Sequence, residues 1–262
     1  MDLDLRGKYA WVCGSTQGIG KECGLELASM GAAITLIARN ENELINVRDS
    51  LNKPFQQLHN YIIADFSNPE ELRLKIQMHL RNFHPPQILI NNTGGPPSGA
   101  ITEANPEEFL FAFNSHLICN HILAQAVLPG MKNEKFGRIV NIISTSVKQP
   151  LKNLGVSNTI RAAVANWSKT LANEVAAFNI TVNNVLPGAT NTARIKNILE
   201  ARSQQTGKTV DDLRKEMMME VPMQRLAEAR EIANAVAFLC SPAASYITGI
   251  NLPVDGGRTG CL

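Results

Sequence analysis

The sequence has few features of metal-binding or disulfide-linked proteins. Its five cysteines are odd in number, widely scattered and free of CxxC spacing: Cys13, Cys23, Cys119, Cys240 and Cys261. Such a set argues against both a disulfide framework and a zinc site. We therefore expect a protein that resides in the reducing cytoplasm and holds no metal.

Long apolar runs and an excess of one charge are also absent. No stretch approaches the about 18 uninterrupted apolar residues of a membrane span, and MDLDLRGKYAWVCG at the start lacks a basic segment followed by an apolar one. We expect neither export nor membrane insertion. The formal net charge is only +2, with acidic and basic residues interspersed. This balance argues against a nucleic-acid or membrane-surface partner and favours a small-molecule one.

Short β-type runs alternate with longer helical patterns along the chain. The seven runs lie at 9–13, 34–38, 61–65, 88–91, 138–143, 180–185 and 250–254. Strands that alternate with helices form βαβ units, which build a parallel sheet covered by helices on both faces. The sequence predicts a single α/β domain over residues 1–262, with a doubly wound, seven-stranded parallel sheet.

The segment from Pro106 to Met131 predicts a helix that is apolar on nearly all sides. Its apolar residues are Phe109, Leu110, Phe111, Phe113, Leu117, Ile118, Ile122, Leu123, Val127 and Leu128. A helix of this kind must be covered all round, and a second subunit can supply the cover. We expect a homodimer or a homotetramer.

A long insertion, about residues 190–225, follows the sixth predicted strand. It runs from Asn191 to Arg225 and includes the run Met217–Met219. Methionines are flexible and polarizable, so they suit an adaptable apolar surface, and the insertion predicts a substrate lid. Ordinary helical packing is the alternative interpretation.

A glycine-rich segment, CGSTQGIGKECG, lies between the first strand and an amphipathic helix. Glycines at this place allow a sharp turn and let a pyrophosphate approach the N–H groups of the helix N-terminus. The segment predicts a dinucleotide site, although turn glycines are common. The residues expected to touch the cofactor are Gly14, Ser15, Gln17, Gly18, Ile19 and Gly20.

Four further motifs follow in order: NNTG at 91–94, IVNIIS ending at 144, VNNVLPG at 182–188 and LPVDGG at 252–257. With them the chain resembles the short-chain dehydrogenase/reductase family, and in particular its 3-oxoacyl-acyl-carrier-protein reductase branch. The resemblance covers almost the whole chain. It implies a single-domain Rossmann fold and hydride transfer with a nicotinamide cofactor.

The end of the second strand reads Ala38, Arg39, Asn40. An acidic residue there would bind the ribose 2′-hydroxyl of NAD(H), whereas an arginine accommodates the 2′-phosphate of NADP(H). We therefore expect NADP(H), with NAD(H) less favoured, and we assign Arg39 and Asn40 to the cofactor site. A solvated arginine at a strand end is the alternative.

The resemblance implies further cofactor contacts. Asp65, with Phe66 beside it, resembles the family aspartate that contacts adenine. The loop after the fourth strand matches the nicotinamide side, and the segment after the sixth strand matches the part that borders the nicotinamide amide and the pyrophosphate. The residues concerned are Asn92, Thr93, Gly94, Pro187, Gly188, Thr190 and Thr192. Each also has a turn-forming interpretation.

The family reduces carbonyls with a tyrosine proton donor, a lysine that lowers the tyrosine pKa and holds the ribose, a serine and an asparagine. Here Ser144 matches the serine and Asn114 matches the asparagine. Ser157 stands at the tyrosine position and Arg161 at the lysine position. None of the three tyrosines in the chain has a lysine four residues later.

These two substitutions have unequal consequences. Arg161 keeps a positive charge and can still bind ribose hydroxyls, so cofactor binding is expected to survive. Ser157 is a much poorer proton donor than tyrosine, whose reference pKa is about 10. Lys148 is a candidate substitute acid, because burial would lower its pKa. His116 is a weaker candidate, since it is expected on a different helix face from Asn114.

Two functions remain open at this point. The first is an NADP(H)-dependent reductase or dehydrogenase of a small carbonyl or alcohol, with a non-standard proton donor; a 3-oxoacyl thioester is the substrate that the resemblance suggests. The second is a catalytically impaired relative that acts as a cofactor-binding or regulatory module. The intact glycines favour the first and the missing tyrosine favours the second.

Overall fold

The computed structural model describes residues 1–261. The strands are β1 Tyr9–Cys13, β2 Ala33–Ala38, β3 Asn60–Ile63, β4 Ile88–Asn91, β5 Gly137–Ile142, β6 Ile180–Pro187, β7 Thr190–Asn191, β8 Ala227–Glu228 and β9 Asn251–Val254. The α-helices are α1 Gly18–Ser29, α2 Glu41–Ser50, α3 Pro69–Asn82, α4 Pro106–Phe113, α5 Cys119–Glu134, α6 Gly155–Val175, α7 Ala193–Thr206, α8 Val210–Met219 and α9 Ala229–Cys240.

Seven of the strands form one sheet in the order β3-β2-β1-β4-β5-β6-β9, and all of its pairs are parallel. The order reverses between β1 and β4, so the carboxyl ends of these two strands flank a crevice. In open α/β sheets, ligands bind at such a crevice. The predicted α/β class and seven-stranded parallel sheet are confirmed.

Helices cover the sheet on both faces. One core lies under α1, α2 and α9 and includes Leu27, Leu44 and Val236, all fully or almost fully buried. The opposite core lies under α3, α5 and α6 and includes Leu72 and Leu123. Parallel strands buried on both faces are typically continuous apolar runs, as β1, β2 and β4 are here.

Four asparagines, one on each of the strands β4, β5, β6 and β9, form a ladder across the sheet. Asn91, Asn141, Asn184 and Asn251 are successive partners in the β4-β5-β6-β9 register. The amide of Asn91 donates to Asn141 (2.8 Å), that of Asn141 to Asn184 (2.9 Å) and that of Asn184 to Asn251 (2.8 Å). The side-chain oxygens of Asn141, Asn184 and Asn251 are thus satisfied by their neighbours, while Oδ1 of Asn91 at the end of the ladder has no hydrogen-bond partner.

The helix predicted over 106–131 is present, with an irregularity in its middle. Helices α4 and α5 are joined by a π-helical turn, Asn114–Ile118. Three large apolar side chains of α4 remain exposed: Leu110 (64%), Phe111 (54%) and Phe113 (38%). The excess of apolar surface that the sequence indicates is therefore real on this helix.

The insertion at 190–225 forms the short strand β7 and the helices α7 and α8. Met219 and Met223, near the end of the insertion, are exposed. Within residues 1–261 no helix is long and apolar enough to cross a membrane, and no cluster of three or more histidine, cysteine or acidic side chains is placed to hold a metal.

Candidate dinucleotide and catalytic site

The glycine-rich turn joins β1 to α1 with a geometry that demands glycine. Gly14 and Gly18 both have left-handed backbone conformations, with φ of +57° and +54°. At Gly20 a Cβ atom would lie 2.2 Å from the carbonyl oxygen of Gly14, so any side chain would displace the turn. The N-cap, Gln17, makes no side-chain hydrogen bond to α1. The first N–H groups of α1 are therefore open to a phosphate.

Two side chains hold this turn in place. Asn92 donates from Nδ2 to the carbonyls of Cys13 and Gly14, both at 3.2 Å. Ser15 is fully buried, and its hydroxyl accepts a hydrogen bond from the Ile37 N–H at 3.1 Å. Asn92 and Ser15 thus fix the glycine turn from below, and their contact with a cofactor stays a prediction.

The segment after β6 faces the glycine turn. Thr190 donates to the carbonyl of Gly188 (3.0 Å) and Thr192 to that of Thr190 (3.3 Å). A Cβ atom at Gly18 would meet the Thr192 methyl group at 3.4 Å, so the two loops lie side by side. A cavity of about 440 Å³ opens at this junction, between the start of α1 and the starts of α7 and α9. Pro187, at the end of β6, introduces this loop.

At the end of β2 the Arg39 side chain is 77% exposed, with Nη1 4.0 Å from Oδ2 of Asp65. Asn40 is the N-cap of α2 and accepts from the Glu43 N–H (3.2 Å). Phe66 is buried in the core below this edge. An exposed guanidinium beside the β2 and β3 ends fits a 2′-phosphate, whereas the oxygen of Asn40 already serves the helix cap.

Ser144 lies just after the end of β5, and Ser157 and Arg161 lie in the first two turns of α6. The hydroxyl of Ser144 accepts from the Ser146 N–H at 3.1 Å. Ser157 and Arg161 are both buried, although a helix start with a surface arginine is the alternative interpretation of this sequence. Arg161 donates from Nη1 to the carbonyl of Ile142 at 3.1 Å. Burial lowers the pKa of Arg161 to about 10, so its guanidinium stays charged at neutral pH.

The structure places Asn114 and His116 in different surroundings, and the catalytic role of Asn114 stays a prediction. Asn114 is exposed, whereas His116 is buried and its Nδ1 lies 2.5 Å from the hydroxyl of Thr93. The π-helical turn contains both residues, and the extra residue in such a turn displaces side chains from their regular helical positions. The side chain that this turn directs to the nicotinamide-side loop is therefore His116.

His116 is neutral in the folded protein. Burial, together with the positive charges of Arg161 and Arg194, lowers the pKa of His116 to about 2. An imidazole with this pKa carries no ionisable proton to give at neutral pH. In this neutral form it holds Thr93 by a hydrogen bond.

This neutral histidine predicts a specific sensitivity to acid. Below about pH 6.5 the unfolded chain protonates His116 while the folded chain does not, so stability falls by about 1.4 kcal/mol per pH unit from this group. The loss begins near pH 6.5 and continues down to the folded pKa, about 2. Urea unfolding at pH 7.5 and pH 5.0 is expected to show a smaller stability loss for His116→Asn than for the unchanged protein; equal losses would contradict the assignment.

Sequence reasoning missed one more residue of this region, Arg194 at the start of α7. Its Nη1 donates to the carbonyl of Gly95 (2.9 Å) and its Nη2 to that of Pro96 (3.3 Å), so α7 is tied to the loop after β4. Gly94, in the same loop, is exposed. Lys148 is half-buried on the loop after Ser144. Its proposed role as an acid stays a prediction.

The strand order, the crevice between β1 and β4 and the glycine turn define a doubly wound Rossmann-type fold. A family model described as enoyl-(acyl carrier protein) reductase matches residues 14–259. The chain belongs to the short-chain dehydrogenase/reductase family.

Relatives along the whole length support this membership. The chain is 30% identical over 257 residues to 3-oxoacyl-[acyl-carrier-protein] reductase FabG of Pseudomonas aeruginosa, covering 97% of this chain and 98% of the relative. It is 34% identical to FabG of Vibrio cholerae over the same length and shares of the two chains. L-sorbose reductase from Gluconobacter frateurii, solved with NADPH and L-sorbose, has a TM-score of 0.93 at 32% identity and matches over 100% of both chains.

Proposed function

We propose that this protein is an NADP(H)-dependent oxidoreductase that reduces a ketone to an alcohol. The observation that carries the proposal is the glycine turn at the crevice. Position 20 of this turn has room only for glycine, and the turn leaves the N-terminus of α1 open to a phosphate. The solved relative with NADPH and L-sorbose supports both the cofactor and the class of substrate. The FabG relatives suggest a 3-oxoacyl thioester as an alternative substrate.

The residues present fit a bound NADPH, which supplies a hydride when it is bound. The turn at Gly14–Gly20 would bind the pyrophosphate, Arg39 the 2′-phosphate, and Asp65 would border the adenine. Thr190 and Thr192 would flank the nicotinamide amide and pyrophosphate. Arg161 would donate to the ribose hydroxyls, and Ser144 to the substrate oxygen.

The proton donor is the unusual part of this proposal. We place Ser157 and Arg161 at the positions where the family has tyrosine and lysine. General acid catalysis contributes on the order of 10² to 10⁴ in rate, so its loss slows the reaction without removing the proximity of hydride and carbonyl. Lys148 or solvent would then supply the proton, since His116 is neutral.

A second candidate function is a cofactor-binding or regulatory module without turnover. The buried Ser157 and Arg161 favour it, because neither side chain is an ordinary proton donor. NADPH consumption separates the two functions. We would survey NADPH oxidation against ketoses, cyclic and linear ketones and 3-oxoacyl thioesters, with the product identified by mass spectrometry. NADPH binding without any alcohol product would favour the second function, and no NADPH binding would defeat both.

We predict that NADPH binds more tightly than NADH because of Arg39. A charge-assisted contact with a phosphate is worth about 1.5 to 3 kcal/mol, roughly a 10- to 150-fold preference. Calorimetry should show that Arg39→Ala removes most of this preference. Arg81→Ala, a change at an exposed arginine in the last turn of α3, serves as the matched control. An unchanged preference in Arg39→Ala would refute the assignment.

We also predict that the protein forms a homodimer or homotetramer through α4. Leu110 and Phe111 expose more than half of their surface, and Phe113 more than a third. Exposed apolar patches of this kind mark interfaces. Light scattering at micromolar concentration is expected to show a dimer or tetramer, and Phe111→Asp is expected to shift it toward monomer. A monomer in the unchanged protein would rule this interface out.

A further inference from the structure

Two side chains from different elements contact the loop 93–96, and a third lies at the end of the strand beside it. His116 contacts the hydroxyl of Thr93, and Arg194 donates to the carbonyls of Gly95 and Pro96. Arg161 donates to the carbonyl of Ile142, the last residue of β5. β5 pairs with β4 through Asn141 and Asn91, so Ile142 lies beside Asn92, the residue before that loop. All three side chains therefore lie at one end of the sheet, in the crevice region.

This cluster has two positive charges and no acidic partner. Within residues 1–261, no carboxylate forms an ion pair with Arg161 or Arg194, and their hydrogen bonds go to backbone carbonyls. Arg161 is only 8% exposed. Arg161 donates at the carboxyl end of β5 and Arg194 in the loop after the neighbouring strand β4, and the charge of Arg194 adds to the effect of burial in lowering the pKa of Arg161. Buried charges in proteins are normally paired, so this one is expected to meet an anion from outside the chain.

The two arginines differ in their position. Arg161 lies inside on α6, whereas Arg194 is exposed at the first turn of α7, in the insertion predicted as a lid. An anion that enters from solvent would meet Arg194 first and Arg161 at depth. A carboxylate would also be a stronger acceptor for Arg194 than the neutral carbonyls of Gly95 and Pro96, and its two oxygens match the planar guanidinium fork.

The geometry points to a carboxylate-recognition site formed by Arg161 and Arg194, so that the preferred substrate is a small oxo acid rather than a neutral ketone. This inference rests on the proposed reductase function for its reaction, but the binding of the carboxylate itself does not require turnover. The cofactor's pyrophosphate is the other source of negative charge for Arg194, and the experiment separates the two.

The test compares stable oxo acids with their neutral methyl esters. Pyruvate, 2-oxobutyrate and 4-oxopentanoate, each beside its methyl ester, would be assayed for NADPH oxidation. Their dissociation constants on the protein, free and loaded with NADP⁺, would be measured by calorimetry. At least one acid is expected to bind and react at least about tenfold better than its ester. Arg194→Gln is expected to weaken acid binding by about tenfold or more and to leave ester binding unchanged. Arg161→Gln is expected to weaken acid binding to the cofactor-free protein by about tenfold or more.

Arg202→Gln is the matched control, because Arg202 lies on α7 but pairs with Glu216 on the surface. It should leave acid binding unaltered, and thermal unfolding would show that every variant folds. Equal binding of acids and esters in the unchanged protein, which needs no variant, would overturn the inference. So would a loss of NADPH affinity in Arg194→Gln with acid binding intact, which would assign Arg194 to the pyrophosphate. Failure to bind NADPH while oxo acids still bind would instead defeat the proposed function and leave this site standing.

Discussion

The double variant Ser157→Tyr with Arg161→Lys is expected to raise ketone reduction by on the order of 10² to 10⁴ over the unchanged protein. The tyrosine would restore an acidic hydroxyl, and the lysine would restore an amine that lowers its pKa. Ser157→Tyr alone should gain less, because Arg161 donates to the Ile142 carbonyl and differs from lysine in shape. The measurement is kcat/KM with NADPH and the best ketone found.

Packing is the main risk of this variant. Ser157 is 7% exposed, and overfilling a packed site costs about 1 to 3 kcal/mol. Thermal unfolding and NADPH affinity should therefore be recorded with the rate. Thr159→Tyr with Arg161→Lys is the matched control, since Thr159 is exposed on the same helix. A double variant that folds and binds NADPH but shows no gain would mean that the site lacks more than its acid.

Gly20→Ala is expected to abolish measurable NADPH binding. The added Cβ would lie 2.2 Å from the Gly14 carbonyl oxygen and 2.6 Å from Nδ2 of Asn92, so the turn itself must move. A displacement of about 1 Å at a binding site can cost roughly 10²-fold. The same clash should lower the free energy of unfolding by about 1 to 3 kcal/mol.

Gly99→Ala provides the comparison for this loss. A Cβ atom at Gly99 would have nothing within 4 Å, and its φ is not left-handed. Calorimetric titration with NADPH and urea unfolding should leave Gly99→Ala close to the unchanged protein. If Gly20→Ala bound NADPH normally, the glycine turn would not be the cofactor site.

The sheet could be predicted from the sequence because its strands are short apolar runs separated by helical patterns. Each of the seven predicted runs overlaps a strand of the sheet. The glycine turn was predictable for a similar reason, since the glycines are close in sequence. These signals are local, and local signals can be recognised without knowing the fold.

The centre of the site was harder to predict, because its residues come together only in the folded chain. The π-helical turn brings His116 rather than Asn114 to Thr93, and no sequence pattern signals such a turn. Arg194 reaches Gly95 across 99 positions of sequence. The position of Arg194, two residues after Thr192, was the sign in the sequence that this arginine could belong to the site. The burial of Arg161 likewise depends on how α6 packs against β6 and the π turn, which the sequence does not state.

The asparagine ladder has a consequence for how the sheet forms. If one of these strands were shifted by one residue, its asparagine side chain would move away from the asparagines of the neighbouring strands. Several polar groups would then be unpaired in an apolar interior. Asn141, whose amide also bonds to Ser168 on α6, would lose contacts to a helix as well as to two strands. An incorrect register at any one of the strands β4, β5, β6 and β9 therefore also destabilises the strands beside it. The ladder makes this half of the sheet a single cooperative unit, whose amide hydrogens should exchange with solvent as one group rather than strand by strand.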